Sequence, residues 1–332
     1  MFRQPAVGRT VKLGLLILTL GFCAYGLFTE RDAVIAALHE MSWPPVAGAV
    51  LAAIAGQGCM MMSWRALLAD LGSPLPLSAA TRILFVAQLG KYVPGGVWAA
   101  AAQVEIARGH QVQRQRSATA AIVSLQVGLA TSLLVAAVAL PLSSGQAARH
   151  YWWALALALP VVLSLYPPLT TWVLNRLLRL ARRPRLERQI SLAGLARSFG
   201  WSVVGWSLFS LHAWLLVADV THQGLAVLPL AAGAFALAWS VGFILVPFPG
   251  GVGPRELALI AALAPVVPAG AAIAVAVISR VAMTAADLAW ASVAFLLGWA
   301  ARRRRPAGPE PAGPPPGQND HSAAGRPAMS RS

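Results

Sequence analysis

The stretch Gly90-Lys91-Tyr92-Val93-Pro94-Gly95-Gly96-Val97-Trp98 interrupts an apolar run that extends from about residue 79 to residue 105. Proline removes a backbone donor and its ring clashes with the preceding turn, and paired glycines free the backbone to change direction. One continuous helix cannot pass through it. A second stretch, Pro247-Phe248-Pro249-Gly250-Gly251-Val252-Gly253-Pro254, breaks the apolar run 229–266 in the same way. The rest of the chain must be explained around these two breaks.

Working outward, the chain has the composition of a membrane protein. Of its 332 residues, 58% are hydrophobic and 11% are charged, against about 25% charged in an average soluble domain. So few charges cannot cover a water-soluble surface, which excludes a soluble enzyme, a secreted disulfide scaffold and a disordered regulator. The formal charge of +15 would suggest nucleic acid in a soluble protein. Here the cations come in bursts between apolar runs, the pattern of positively charged cytoplasmic loops. Lysine occurs only at Lys12 and Lys91, and Cys23 and Cys59 stand alone in apolar runs.

About 20 apolar residues are needed to cross a ~30 Å hydrocarbon core. Continuous spans are expected near 11–29, 45–69, 117–142, 152–174, 199–220 and 270–299. The run 11–29 is longer than a signal-peptide core and lacks its small-residue exit, so it is expected to remain as the first span. Arg3, Arg9 and Lys12 place the N-terminus in the cytoplasm. The arginines between 175 and 198 and the run Arg302 to Arg305 mark two further cytoplasmic positions. Parity then requires 79–105 to enter and leave on the cytoplasmic side and 229–266 to enter and leave on the outer side. Both become re-entrant hairpins, with the outer assignment resting on parity. The alternative keeps 226–247 as a full crossing, with 254–268 returning as a short helix.

Each half of the chain thus reads helix, helix, broken hairpin with a PGGV tetrapeptide, helix. The two tetrapeptides, Pro94 to Val97 and Pro249 to Val252, lie 155 positions apart. The tetrapeptide alone could recur by chance in a chain rich in glycine and proline. The matching segment order and the charge-derived inversion favour a duplication. The expected fold is an all-α integral membrane protein with about six full transmembrane helices, two re-entrant broken hairpins and an inverted repeat. The membrane domain covers 1–301, with halves of about 11–142 and 152–300. The basic and Pro-rich segment 302–332 has the composition of a disordered cytoplasmic tail.

Non-helical backbone is tolerated at membrane depth where protein or a wet cavity receives its polar groups, so both breaks imply a cavity. The expected headgroup-binding residues are Arg82, Lys91, Tyr92, Glu105 and Arg108 around the first break, and Arg255 and Glu256 around the second. The break residues themselves are Pro94, Gly95, Gly96, Pro249, Gly250, Gly251 and Gly253. Arg280 and Asp287 are seven apart in the last span and share a face. They are too far apart along it, about 10.5 Å by helical rise, to touch, so both are expected to pair with other segments. A charge at the centre of a membrane helix costs at least ~2.5–3.5 kcal/mol. Each of these residues is therefore either part of a site or a salt bridge holding broken segments together. Helices starting just after the glycine pairs would aim free N–H groups at the cavity, an arrangement suited to anions. His212 and Asp219 also share a face, but Asp219 falls at a helix end, in solvent. The sequence contains no HExxH, GxSxG or P-loop motif and no cluster of metal ligands. No cofactor or metal is expected.

Ser63-Trp64-Arg65 before Leu71-Gly72, Arg82, Gly90 to Gly96, Glu105-Ile106-Ala107-Arg108 and Pro249 to Glu256 resemble the lysylphosphatidylglycerol synthase transmembrane family, also called flippase-like domain proteins. The resemblance covers roughly residues 10–300. It implies a polytopic membrane module that moves lipids between leaflets. Well-understood family members join this module to a soluble aminoacyl-transferase domain. Only the tail follows Arg305 here, so lysyl-lipid synthesis is not expected. The first motif departs from the family's LPGRLGE-like pattern, which places the acidic role of Glu105 in doubt.

Taken together, these features point to an inner-membrane flippase or lipid-binding transporter for an anionic phospholipid or a polyprenyl-phosphate-type lipid. The partners expected are membrane lipids with an anionic headgroup and a separately encoded lipid-modifying enzyme, with no nucleic acid. The expected location is the cell membrane, with both termini cytoplasmic. Two alternatives stay open: a membrane-embedded transferase on a lipid-linked substrate, and an accessory subunit of a separate lipid synthase. The first lacks an acidic cluster for Mg²⁺ and any large loop to bind a soluble donor.

Overall fold

The computed structural model describes residues 32, 35, 36, 39, 41–92, 98–143, 152–180, 189–244 and 253–303. The expected first span, 11–29, and the tail beyond Arg303 lie outside them, as do Pro94, Gly95, Gly96, Pro249, Gly250 and Gly251. The described chain is helical throughout. Its elements are α1 (Trp43–Asp70), α2 (Leu77–Gln88) with a 3-10 turn (Leu89–Tyr92), α3 (Trp98–Arg108), α4 (Arg114–Ser143), α5 (Trp152–Leu163), α6 (Pro167–Leu180) and α7 (Leu192–Thr221). After a 3-10 turn (Gly224–Val227) come α8 (Leu228–Ile244), α9 (Pro254–Leu263) and α10 (Ala269–Arg303).

Five segments are long and apolar enough to cross a membrane: 43–70, 114–143, 192–221, 224–244 and 269–300. Four of these coincide with expected continuous spans. The fifth, formed by α8 and the turn before it, is the first limb of the second broken run. The expected span 152–174 is not one helix. It divides at Ser164, Leu165 and Tyr166 into α5 and α6. Pro167 and Pro168 supply no backbone N–H, and proline disfavours helical geometry in the residue before it. The opened backbone is repaired from the side. Gln126 Nε2 on α4 donates to the Ser164 carbonyl at 3.0 Å, and Thr170 Oγ1 donates to the same oxygen at 2.7 Å.

The centre of the molecule is the antiparallel pair α1–α7. Backbone Ser42 N–H at the start of α1 donates to Asp219 near the end of α7 at 2.8 Å. Backbone Ser191 N–H, at the start of α7, donates to Asp70 at the end of α1 at 2.8 Å. Between these ends, Ser63 and Ser198 share a hydroxyl hydrogen bond of 2.7 Å. Gly56 meets the ring of Phe209, and Gly205 meets Met60 and the Gly56 carbonyl. Small residues let the two backbones approach and hydroxyls bond across the gap, as membrane helices require.

The other packings form equivalent pairs about this seam. With α1, α2, α3 and α4 matched to α7, α8, α9 and α10, the contact of α2 with α10 corresponds to that of α8 with α4. The contacts α3–α4 and α9–α10 correspond in the same way, as do α1–α10 and α7–α4. Because the equivalent helices α1 and α7 run in opposite directions, the two halves are inverted relative to each other. The α2–α10 pair is also antiparallel: Arg82 lies against Gly298, Phe85 stacks on Trp290 at 4.4 Å, and Lys91 reaches Asp287. Large apolar side chains such as Leu51, Leu159, Val281, Leu288 and Phe295 are exposed, an outer coat that water would not tolerate and hydrocarbon would.

Candidate functional site

The site forms where the helices flanking the two breaks reach α10. Lys91 stands in the 3-10 turn that follows α2, just before the first break. Its Nζ is 2.6 Å from Asp287 Oδ2. The other carboxylate oxygen, Oδ1, accepts from Gln57 Nε2 on α1 at 2.9 Å. Asp287 is buried at 7% exposure, and a charge at that depth is retained only with such partners.

The second broken run contributes the start of α9. Gly253 has φ 94° and ψ −69°, a backbone conformation closed to residues with a Cβ. Its N–H donates to Glu256 Oε2 at 2.6 Å, so the acidic residue of the first turn caps its own helix. Glu256 Oε1 is 3.5 Å from Arg280 NH1 on α10. The Arg255 guanidinium lies over the Phe235 ring at 4.8 Å, a cation–π placement. Arg255 and Arg280 line one cavity, and Glu256 and Asp287 hold Arg280 and Lys91 along α10.

Between α9 and α10 is a cavity of about 10 Å³ lined by Arg255, Glu256, Leu259, Ala276, Ser279 and Arg280. That is roughly the room one water needs. Its wall continues into His212, whose ring bonds Ser279 Oγ at 2.9 Å and the Ala49 carbonyl at 2.9 Å. A carbonyl only accepts, so Nδ1 carries the proton and Nε2 of the neutral ring accepts from the serine hydroxyl.

Of the residues expected around the breaks, the structure brings together Lys91, Arg255, Glu256, Arg280 and Asp287. Arg280 pairs with Glu256 and Asp287 with Lys91, so each meets a different broken run. The N-terminal donor at Gly253, expected to be free for an anion, is taken by Glu256. Arg82 stands apart, against Gly298. Gly298 is eleven residues beyond Asp287, about 16 Å by helical rise. Glu105 and Arg108 are not at the site. Glu105 is exposed on α3 and binds Arg108 NH1 at 2.6 Å and Arg114 NH2 at 2.9 Å. Their guanidinium groups, the Arg114 hydrogen bond foremost, hold the Glu105 carboxyl below its ordinary range. Glu105 also edges an open, largely apolar groove of about 440 Å³ that begins at Gly90 and is lined by Trp98, Ala101 and Ala102. Tyr92 closes the 3-10 turn, with its side chain outside the described residues.

Sequence inspection missed Gln57 and singled out His212 only as sharing a face with Asp219. Both are buried polar residues inside otherwise apolar helices, and that was their only signal. Asp219, at its helix end as expected, also holds the start of α1 through an exposed hydrogen bond.

With the geometry established, comparison with known proteins adds one match. A family model described as "Lysylphosphatidylglycerol synthase TM region" matches residues 11–291. No curated protein matches the chain. The match and the apolar helices together make this a multi-pass membrane protein with a lipid-related role.

Proposed function

We propose, from the premise that the chain belongs to the lysylphosphatidylglycerol synthase transmembrane family, that it is a flippase moving an anionic lipid between the leaflets of the cell membrane. The observation that carries this is the meeting of both broken runs on one face of α10, with Lys91, Arg255 and Arg280 gathered there. Inverted repeats whose discontinuous helices meet inside the membrane are a common transporter architecture.

In the described conformation the site is shut, since a cavity of about 10 Å³ cannot admit a phosphate. Asp287 and Glu256 hold Lys91 and Arg280 while it is empty. For a headgroup to enter, one hairpin withdraws, and the phosphate takes the place of a carboxylate beside the cations. The acyl chains remain in hydrocarbon. Arg82 on α2, beside the later part of α10, supplies the next cationic station toward the cytoplasmic end. Movement of one hairpin at a time would give access from one face and then the other. In this proposal both termini are cytoplasmic, 1–301 is the membrane module and 302–332 is its tail.

Purified protein in liposomes tests the proposal. Translocation of a fluorescent anionic lipid is expected to run well above that in empty vesicles and to slow with Arg255→Ala. Equal rates with and without protein reject it. Impermeant labelling of Ile244→Cys, at the exposed end of α8 beside the second break, in a Cys23- and Cys59-free background, tests the orientation. Labelling from the cytoplasmic side alone rejects an outward-entered second hairpin.

A further inference from the structure

We propose that His212 is a proton-binding site that becomes available when α9 withdraws, so that opening of the second broken run is linked to the uptake of a proton. The inference rests on the flippase proposal for the purpose of that opening. His212 is wholly buried within α7, and the ion pairs of the site make no use of it. An ionisable side chain at membrane depth is kept for a function or for a partner. Its two ring nitrogens bond to different helices. Nδ1 donates to the Ala49 carbonyl on α1, and Nε2 accepts from the Ser279 hydroxyl on α10, both at 2.9 Å. Only Nε2 can take up a further proton.

Ser279 supplies the route, because it also lines the cavity between α9 and α10. Hydronium reaching that cavity gives a proton to Ser279 Oγ while the hydroxyl's own proton moves to Nε2. The products are water, an intact hydroxyl and an imidazolium. The serine oxygen then accepts from Nε2, and its hydrogen turns toward the cavity, where Glu256 stands. Both forms of the ring keep two hydrogen bonds, since a hydroxyl donates or accepts as required.

Burial decides between the two forms. From α8 the Phe235 ring lies 5.2 Å from the imidazole, and from α1 the ring meets the Ala49 carbonyl. Neither α8 nor α4 beyond Arg116 carries an ionisable side chain. The charged groups nearest Ser279 are those lining its cavity, Arg255 and Glu256 on α9 and Arg280 on α10. Asp219, seven residues on along α7, holds Ser42. With α9 seated, an imidazolium would be a charge with room for about one water beside it, which is costly. With α9 withdrawn, water reaches Ser279 and hydrates that charge. The open form thus binds one proton more than the seated form. By linkage, acid favours opening and a rise in pH favours seating.

The test uses the purified full chain in lipid nanodiscs. Amide exchange of residues 254–263, corrected for its intrinsic pH dependence, reports the seating of α9. Wild-type protection is expected to be level above about pH 7 and to fall below the ordinary imidazole value of about 6.5, by up to about tenfold per pH unit, the limit for one proton. His212→Asn, whose amide still donates to Ala49, is expected to stay level throughout. A level wild type overturns the inference. So does a decline that persists in His212→Asn, and one that Glu256→Gln abolishes instead would assign the proton to Glu256. A second measurement leaves the site itself unaltered. With the other five histidines replaced by glutamine, the carbon-13-labelled imidazole of His212 is expected to change from the neutral to the cationic signal over the same interval. A ring still neutral at about pH 5, well below that ordinary value, overturns the inference. Neither readout involves lipid movement. Translocation in liposomes without these responses rejects the proton site alone, and the responses without translocation reject the flippase alone.

Discussion

Lys91 Nζ and Asp287 Oδ2 lie 2.6 Å apart, and their ion pair ties the turn that follows α2 to the middle of the last helix. The two partners differ in setting: the Lys91 side chain is 32% exposed and that of Asp287 only 6%. Removing the cation strands the buried partner, whereas removing both charges does not. Lys91→Met is therefore expected to cost about 2–4 kcal/mol, toward the lower side of a fully buried pair. Adding Asp287→Asn should recover part of it, with a coupling energy of about 1–3 kcal/mol. Denaturant unfolding in detergent micelles measures all four proteins of the cycle. Strictly additive losses would mean that the pair contributes no stability of its own.

Gly56 is expected to be intolerant of a single methyl group. A Cβ there would lie 2.6 Å from the Phe209 ring, and overpacking of this kind costs about 1–3 kcal/mol. Gly200, on the partner helix α7, has nothing within 4 Å of the same position. Gly200→Ala is expected to be neutral or to stabilise by up to about 1 kcal/mol through helix propensity. Thermal unfolding of the two variants distinguishes a helix seam from a general sensitivity of glycines.

Asp70 and Asp219 are expected to act on the helix that does not contain them. Asp70→Ala removes the acceptor for the Ser191 N–H and frays the start of α7. Asp219→Ala removes that for Ser42 and frays the start of α1. The loss is comparable to that of a helix cap, about 1 kcal/mol. Hydrogen exchange resolved by peptide reports it, and faster exchange confined to the mutated helix would contradict the crossed arrangement.

The pairing of Glu105 with Arg114 and Arg108 gives the turn after α3 a dependence on acid. The folded carboxyl titrates below its ordinary value of 4.5 because the ion pairs favour the charged form. Its contribution is thus complete above that value and is lost as pH falls through the lower folded pKa. Exchange protection of residues 109–113 is expected to decline in that acidic window in the wild type. In Glu105→Gln it is expected to be low and flat across the same range. A wild-type profile matching that of Glu105→Gln would show that the pairing does not order the turn.

Much of the architecture was visible in the sequence because membrane helices announce themselves by apolar length and PGG runs announce their breaks. The shared face of Arg280 and Asp287 followed from spacing alone. The interruption at Ser164 had a signal too, in Pro160, Pro167 and Pro168, but an uninterrupted apolar composition masked it. Glu105 was misplaced because nearness to a break in sequence is not nearness in space. Seven residues of helix after Trp98 carry it about 10 Å away. Gln57 was overlooked because a neutral amide in an apolar helix carries no charge to mark it.

The seam between α1 and α7 bears on how such a chain could have arisen. Ser42, Gly56 and Asp70 recur as Ser191, Gly205 and Asp219, each 149 positions later. Their contacts are reciprocal. Ser42 binds Asp219 as Ser191 binds Asp70, and Gly56 meets Phe209 as Gly205 meets Met60. Reciprocity of this kind is the mark of an isologous interface, in which one patch contacts its own copy about a two-fold axis. A half-length ancestor inserted into the bilayer in both orientations would form this contact as a homodimer, before any fusion of genes. The ion pairs at Asp287 and Arg280 have no such reciprocal copies among the described residues, because the positions 155 earlier are Ser132 and Leu125. The seam is thus common to both halves, whereas the charged groups of the site are not repeated between them.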